Sequence, residues 1–147
     1  MKVLISTEMV LDVLLDRQPD VVQAARIISM VEAGDVTAFL ADSTVTIVHS
    51  VATRLVGRER ADKEVHKLLL IFEIAPATRV VLEGALLARG TDLEDAILSE
   101  SAHHVGADAL VTRRPDAYPD SHVPVYTPDR FLKAMSGRGR AHADRWS

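Results

Sequence analysis

Three consecutive apolar residues, Val3, Leu4 and Ile5, are followed by the polar set Ser6-Thr7-Glu8, after which the pattern changes period. A short unbroken apolar run of this kind predicts a central parallel strand buried on both faces. In the next segment, EMVLDVLLD, Met9, Val10, Val13 and Leu14 share one face while Asp12 and Asp16 lie opposite, which predicts a helix with those acids toward water. Pro19 restarts the chain, and Val21, Ala24, Ala25, Ile28 and Val31 mark a second helix that Gly34 stops. Thr37 to Leu40 predicts a second strand. DSTVTIVHSVATRLVG predicts a helix opened by Asp42 or Ser43 and closed by Gly57, although its β-branched residues lower helix propensity. In RERADKEVHKLLLIF, the apolar positions Ala61, Val65, Leu68, Leu69 and Phe72 recur at amphipathic-helix spacing.

EIAP predicts a short strand, and TRVVLEGALLARG a helix capped by Thr78 and stopped by Gly90. TDLEDAILSESAHHVG predicts another helix, with a capping box of Thr91 and Glu94 whose cap is worth about 1 kcal/mol, ending at Gly106. ADALVT and VPVY supply the last strands, and TPDRFLKAM a final helix with Pro128 in its first turn. Strands alternating with helices require crossover connections, so the expected fold class is α/β, a mostly parallel sheet with helices on both faces. One domain is expected over residues 1–135. The remainder, 136–147, is rich in glycine and charge and is expected to be a disordered basic tail.

Composition narrows the function classes. Lysine and arginine total 17 against 21 acids, a net charge of −4, so bulk electrostatics give no nucleic-acid signature and only a local basic patch would. The absence of cysteine removes disulfides, thiolate metal sites and a cysteine nucleophile, and fits a reducing cytosol. The apolar opening is too short for a signal peptide or a membrane span, so a cytoplasmic protein without membrane contact is expected. There is no G-x-G-x-x-G, no G-x-x-x-x-G-K and no G-x-S-x-G, which argues against dinucleotide, P-loop and nucleophile-elbow chemistry. The six histidines are scattered, and the adjacent His103 and His104 diverge on a helix, so all six read as surface residues.

A cluster of acids survives this pruning. Asp92 and Asp95 lie three apart at a helix start, where the positive end of the dipole tolerates both charges. Such a pair either holds Mg²⁺, which takes one or two carboxylates and keeps most of its waters, or simply satisfies the helix terminus. Spacing alone favours the terminus.

The phrases KVLISTEMVLDVLLDR, TDLEDAILSESAHHVGADALVTRRPDAY and VPVYTPDRFL resemble, in order and spacing, the PIN-domain family, in particular the bacterial branch of toxins from toxin-antitoxin pairs. The likeness runs from Met1 to about Met135. It implies a doubly wound α/β/α sandwich, with acids at the carboxyl edge of the sheet binding Mg²⁺ or Mn²⁺ to hydrolyse single-stranded RNA. It also implies a homodimer and a cognate antitoxin.

Carried across residue by residue, the resemblance meets several departures. Where the family has Asp-Thr-Asn at the first strand edge, this chain has Ser6, Thr7 and Glu8, so the first metal-binding acid is missing. The early-helix position falls near Thr46 and Ile47, which supply no acid. Asp95, with Asp92 a turn before it, matches the third acid. After the later strand, Arg114 stands where a polar or acidic group is expected and Ala117 replaces an Asp, while Asp116 is one residue out of register. At about 4 Å and an effective dielectric of about 20, each unit-charge interaction is worth about 4 kcal/mol, enough to cancel ordinary Mg²⁺ affinity. Arg114 is therefore expected to take the metal's electrostatic place by pairing with Asp95 or Asp92.

Two readings follow. In the first, the chain has weak or absent catalysis and binds RNA or a protein partner. Arg113 and Arg114 then contact RNA phosphates, with Arg54, Arg58, Arg60 and Lys63 as a further basic cluster. In the second, Asp95 and Asp92 are catalytic metal ligands, Glu8 substitutes for the missing acid, and Thr112 or Ser6 orients a water. A receiver-like phosphoacceptor module would need acids at the first strand edge and a lysine near the last strand, and these do not appear. The segments around Leu68 to Phe72 and Leu86 to Ala88 offer apolar surface for a dimer.

Overall fold

A computed structural model describes the backbone of residues 1–146 and the side chains of residues 1–138. Five strands and seven α-helices alternate among them: β1 (Lys2–Ile5), α1 (Thr7–Leu14), α2 (Asp20–Glu32), β2 (Thr37–Ala41), α3 (Asp42–Val56), α4 (Arg58–Ile71) and β3 (Glu73–Ala75). The chain continues through α5 (Arg79–Leu87), α6 (Leu93–His104), β4 (Ala109–Val111), a single 3₁₀ turn at Pro115–Ala117, β5 (Val125–Tyr126) and α7 (Pro128–Trp146). The sheet order is β3-β2-β1-β4-β5 and every pairing is parallel. The order reverses between β1 and β4, so the crevice beyond their carboxyl ends is where such a sheet forms a site.

The apolar run that opens the chain occupies the middle of the sheet, and Val3, Leu4 and Ile5 are each fully buried. Alternation along β1 divides the core in two. Val3 and Ile5 join Met9, Ile27, Val48 and Phe131 on one face, while Leu4 joins Leu98, Ala102 and Leu110 on the other. The result is the expected α/β/α sandwich. No helix among the described residues is long and apolar enough to cross a membrane.

Several local expectations shift. The cap of α6 is Asp92, whose Oδ1 accepts from the Asp95 backbone N–H at 2.8 Å, while Thr91 donates to the Ala117 carbonyl at 2.6 Å. The cap is therefore one residue later than Thr91, and a single bond rather than a reciprocal box, because Asp is as good an acceptor as Thr and frees the hydroxyl for a tertiary bond. Asp42 is not the cap of α3 but its first residue, and it accepts from the Ala77 N–H at 3.0 Å. Helix α5 stops at Leu87, short of Gly90. Asp12, expected to face water, is fully buried, for the reason given below. The boundary expected at residue 135 falls inside α7, whose backbone remains helical to Trp146. Gly137 and Gly139 each cost that helix about 1 kcal/mol relative to alanine, and the arginines and alanines among them are good helix formers.

Candidate functional site

The carboxyl end of β1 delivers Ser6 into the crevice, and α1 begins immediately afterwards with Thr7 and Glu8 in its first turn. The end of β4 delivers Thr112, and the first turn of α6 delivers Glu94 and Asp95 behind the cap Asp92. Thr7, Glu8, Ile47, Asp92, Glu94, Asp95, Leu98 and Arg114 line one pocket of about 310 Å³. Three separate elements thus bring together four carboxylates and one guanidinium.

Arg114 lies between two of those acids. Its Nη2 is 3.4 Å from Asp95 Oδ1 and its Nε is 3.7 Å from Glu8 Oε1. Thr112 fixes both sides of this bridge, since its hydroxyl donates to Glu8 Oε1 at 2.6 Å and accepts from the Arg114 backbone N–H at 3.1 Å. The buried Tyr118 donates its phenol proton to Asp95 Oδ1 at 3.2 Å. Asp95 is thereby contacted by a cation and a phenol on one oxygen, while Asp92 points an oxygen back at the start of its own helix.

Crowding of acids shifts their protonation. Burial, then the negative charge of Asp92, pushes the Asp95 carboxyl up, against the opposing pull of Arg114 and of the Tyr118 hydrogen bond. Glu94 is raised for the same kind of reason, burial first and then Asp92, Asp95 and Glu8. Burial and the adjacent Asp95 keep the Tyr118 phenol protonated far above its ordinary range.

Beside the pocket, Ser6 is fully buried and its hydroxyl has no hydrogen-bond partner. It contributes no charge at the position where the family resemblance implies a metal-binding acid. Among the described residues no three His, Cys, Asp or Glu side chains are placed to hold a metal ion together. Glu8 and Asp95 face each other across a guanidinium, so the donor set as arranged does not fit a divalent cation.

Arg113, the other expected phosphate contact, turns away from this pocket. Its Nε and Nη2 donate to the two oxygens of Asp12 at 2.6 and 3.1 Å, with Asp20 3.9 Å away. Asp12 also has Arg17 at 3.7 Å, and these partners allow a carboxylate to sit in the core. The hydrogen bond to Asp12, more than any other neighbour, holds the Arg113 guanidinium charged. Of the remaining basic cluster, Arg58 and Lys63 pair with Asp62 and Glu59 along α4. Ala117 ends the 3₁₀ turn and contributes its carbonyl to Thr91.

Glu94, Thr44 and Tyr118 are site neighbours that sequence reasoning did not assign to the site, Glu94 reading there only as a helix-capping residue. Thr44 shares a buried hydroxyl hydrogen bond of 2.7 Å with Thr7, tying the start of α3 to that of α1. The aromatic character of Tyr118, at the end of TRRPDAY, was the available signal for its role. Thr46 instead donates to the Ser43 carbonyl, and only Ile47 reaches the pocket.

The fold is shared with several solved structures. A toxin-antitoxin complex from Klebsiella pneumoniae aligns with a TM-score of 0.66 at 21% identity, covering 86% of this chain and 97% of that one. VapBC-1 from nontypeable Haemophilus influenzae aligns with a TM-score of 0.67 at 11% identity, covering 88% and 99%. VapC20 from Mycobacterium tuberculosis, described as a toxin that cleaves the sarcin-ricin loop, aligns with a TM-score of 0.58 at 13% identity, covering 74% and 86%. Among curated proteins none matches the chain by sequence. The PIN domain family model matches residues 2–114. Because that match spans most of the chain, from β1 to the arginine that closes the pocket, the protein belongs to the PIN-domain family.

Proposed function

We propose that this chain is a toxin-type PIN protein of a toxin-antitoxin pair whose metal-dependent cleavage of single-stranded RNA is weak or absent as it stands. The observation that carries this reading is the Arg114 guanidinium between Glu8 and Asp95, at 3.7 and 3.4 Å. PIN-type nucleases gather carboxylates around Mg²⁺ or Mn²⁺, which activates a water. Here a fixed cation partly neutralises the same carboxylates, and the buried hydroxyl of Ser6 replaces the first acid.

The toxin-antitoxin assignment is supported by the solved neighbours, several of which are complexes of such pairs. A cognate antitoxin, a homodimer and a cytoplasmic setting follow from the same reading. The exposed Leu86 and Leu87 on α5 and Leu69 and Leu70 on α4 offer apolar surface for such assembly. Any retained grip on RNA falls to Arg114, whose side chain is half exposed, because Arg113 is committed to Asp12.

Calorimetric titration with Mn²⁺ tests the reading, together with an RNA cleavage assay in Mg²⁺ and in Mn²⁺. The expected result is feeble binding and no cleavage by the native chain, and binding at least about tenfold tighter in the Ser6→Asp, Arg114→Asn double variant, about 1.4 kcal/mol. Metal-dependent cleavage by the native chain that Asp95→Ala abolishes would overturn it. That outcome would establish the other reading, with Asp95, Asp92 and Glu8 as ligands and Thr112 orienting the water.

A further inference from the structure

The adjacent His103 and His104 of α6 meet His122, from a loop eighteen residues further on, at one place on the surface. His104 Nε2 lies 3.5 Å from Glu100 Oε2, and His122 Nε2 lies 3.5 Å from Glu100 Oε1. The His103 ring stacks on His122 with centroids 4.9 Å apart and meets His104 edge-on at 5.3 Å. Glu100 is only 13% exposed at its side chain. It is seated against α5 at Gly84, where a Cβ would come within 2.7 Å of Glu100 Oε2. One carboxylate held between two helices therefore faces two imidazoles, one from its own helix and one from the loop that leads into β5.

That loop begins at Arg114 and carries Tyr118, so it is fastened to α6 at two points, Tyr118 on Asp95 and His122 on Glu100. The first fastening is buried and stays protonated. The second is open to solvent and built from groups that, as a type, take up a proton between about pH 5 and 8. We propose that His122 and Glu100 form a proton-operated clasp that secures the 118–123 loop to α6 in mild acid and loosens it in mild base, with His104 steadying the second oxygen of Glu100 from within α6.

The charges around the clasp favour this direction. When His104 and His122 are protonated, both oxygens of Glu100 gain an ion pair. The last turn of α6, which carries His103 and His104, also presents the negative end of its dipole to them. His103 is the like-charged neighbour that opposes full protonation of the set. On the loop the acids are Asp116 and Asp120, both exposed. On α5 the neighbouring acid Glu83 is paired with Arg79 at 3.6 Å, leaving Gly84 as the surface against Glu100. Transition-metal chelation is the competing use of such a cluster, but no three of these side chains are placed to hold an ion together.

Hydrogen exchange of the full chain measures the clasp directly, with amide rates corrected for their intrinsic pH dependence. Protection of the 118–123 amides is expected to be about threefold to fivefold greater near pH 5.5 than near pH 7.5, the upper scale of one partly exposed ion pair, since only His122 joins the loop to Glu100. Amides of β1 and β4 serve as the internal control and should not share the change. Glu100→Gln, which keeps the shape against Gly84, should abolish the difference. His122→Gln, at a side chain 58% exposed, should reduce it without threatening the fold, and it decides the matter if Glu100→Gln does not fold. An equal pH response in the variants, or none in the native chain, overturns the proposal.

Discussion

Arg113 reaches across 101 residues of sequence to place two hydrogen bonds on Asp12, a carboxylate with no solvent exposure at all. Because the bonds run from the end of β4 to the middle of α1, they fix the direction in which the chain leaves the sheet. Thr112 on one side and Arg114 on the other are thereby aimed at Glu8 and Asp95. Arg113→Met leaves a buried charge with only Arg17 at 3.7 Å, and is expected to cost about 3 kcal/mol in urea denaturation at neutral pH. Asp12→Leu combined with Arg113→Met should recover most of that loss, since both charges then leave together. A single-variant cost under about 1 kcal/mol would show that Arg17 suffices.

Asp95→Asn is expected to stabilise the protein near neutral pH. Burial and Asp92 raise the Asp95 carboxyl above its ordinary value in the folded state, so the folded chain binds more protons than the unfolded one in the range between those values. Stability contributed by the protonated form is present below the unfolded value and is lost as pH rises through the folded one. Thermal melts of native and variant should therefore converge below the ordinary carboxylate range and separate as pH rises through and above it, with the variant higher by a few degrees. A variant that melts lower than the native chain at neutral pH would mean that Arg114 and Tyr118 more than offset the burial.

Tyr118→Phe removes the phenol that donates to Asp95 and leaves the ring's packing in place. Without that donor the carboxylate loses a favourable partner, so the Asp95 value should climb further, readable by carboxyl carbon chemical shifts. The expected stability loss is about 1 to 2 kcal/mol near neutral pH and smaller in acid.

Ser6→Ala should be neutral or mildly stabilising, because the hydroxyl it removes is buried without a partner. A loss of more than about 1 kcal/mol in the same denaturation assay would reveal a bound water that the hydroxyl holds.

The helix register at the site can be tested by comparing two neighbouring truncations. Asp92→Ala removes a cap and should cost about 1 kcal/mol, while Thr91→Ala removes one tertiary hydrogen bond to Ala117 and acts on the 3₁₀ turn. Amide exchange at the start of α6 should rise in the first variant only.

Most of the framework was readable from periodicity. The buried run Val3 to Ile5 has a length and composition that suit only the middle of a parallel sheet, and Gly34, Gly57 and Gly106 mark places where φ turns positive after a helix. Less legible were features that depend on partners far away in sequence. Asp12 occupies a polar slot in its own helical pattern, and its burial is explained chiefly by Arg113, far away in sequence, with Arg17 beside it. The six histidines read as dispersed because sequence spacing says nothing of the loop that returns His122 to α6. The family phrases drew attention to Asp92, Asp95 and Arg114, which share one pocket, and to Ser6 beside it. They did not locate Glu94 or Thr44, whose roles come from which helix starts share the crevice.

The order of the sheet has one further consequence. All the acids of the pocket sit at the starts of helices α1 and α6, which are anchored in the two cores, whereas its cation, and the phenol behind Asp95, both come from the single passage between Thr112 and Tyr118. The negative half of the pocket thus belongs to two helix starts, and its one positive charge, Arg114, to the passage that follows β4. A substitution at the half-exposed Arg114 alone can reset the pocket's net charge, and with it the class of guest it admits, while every strand pairing stays as it is.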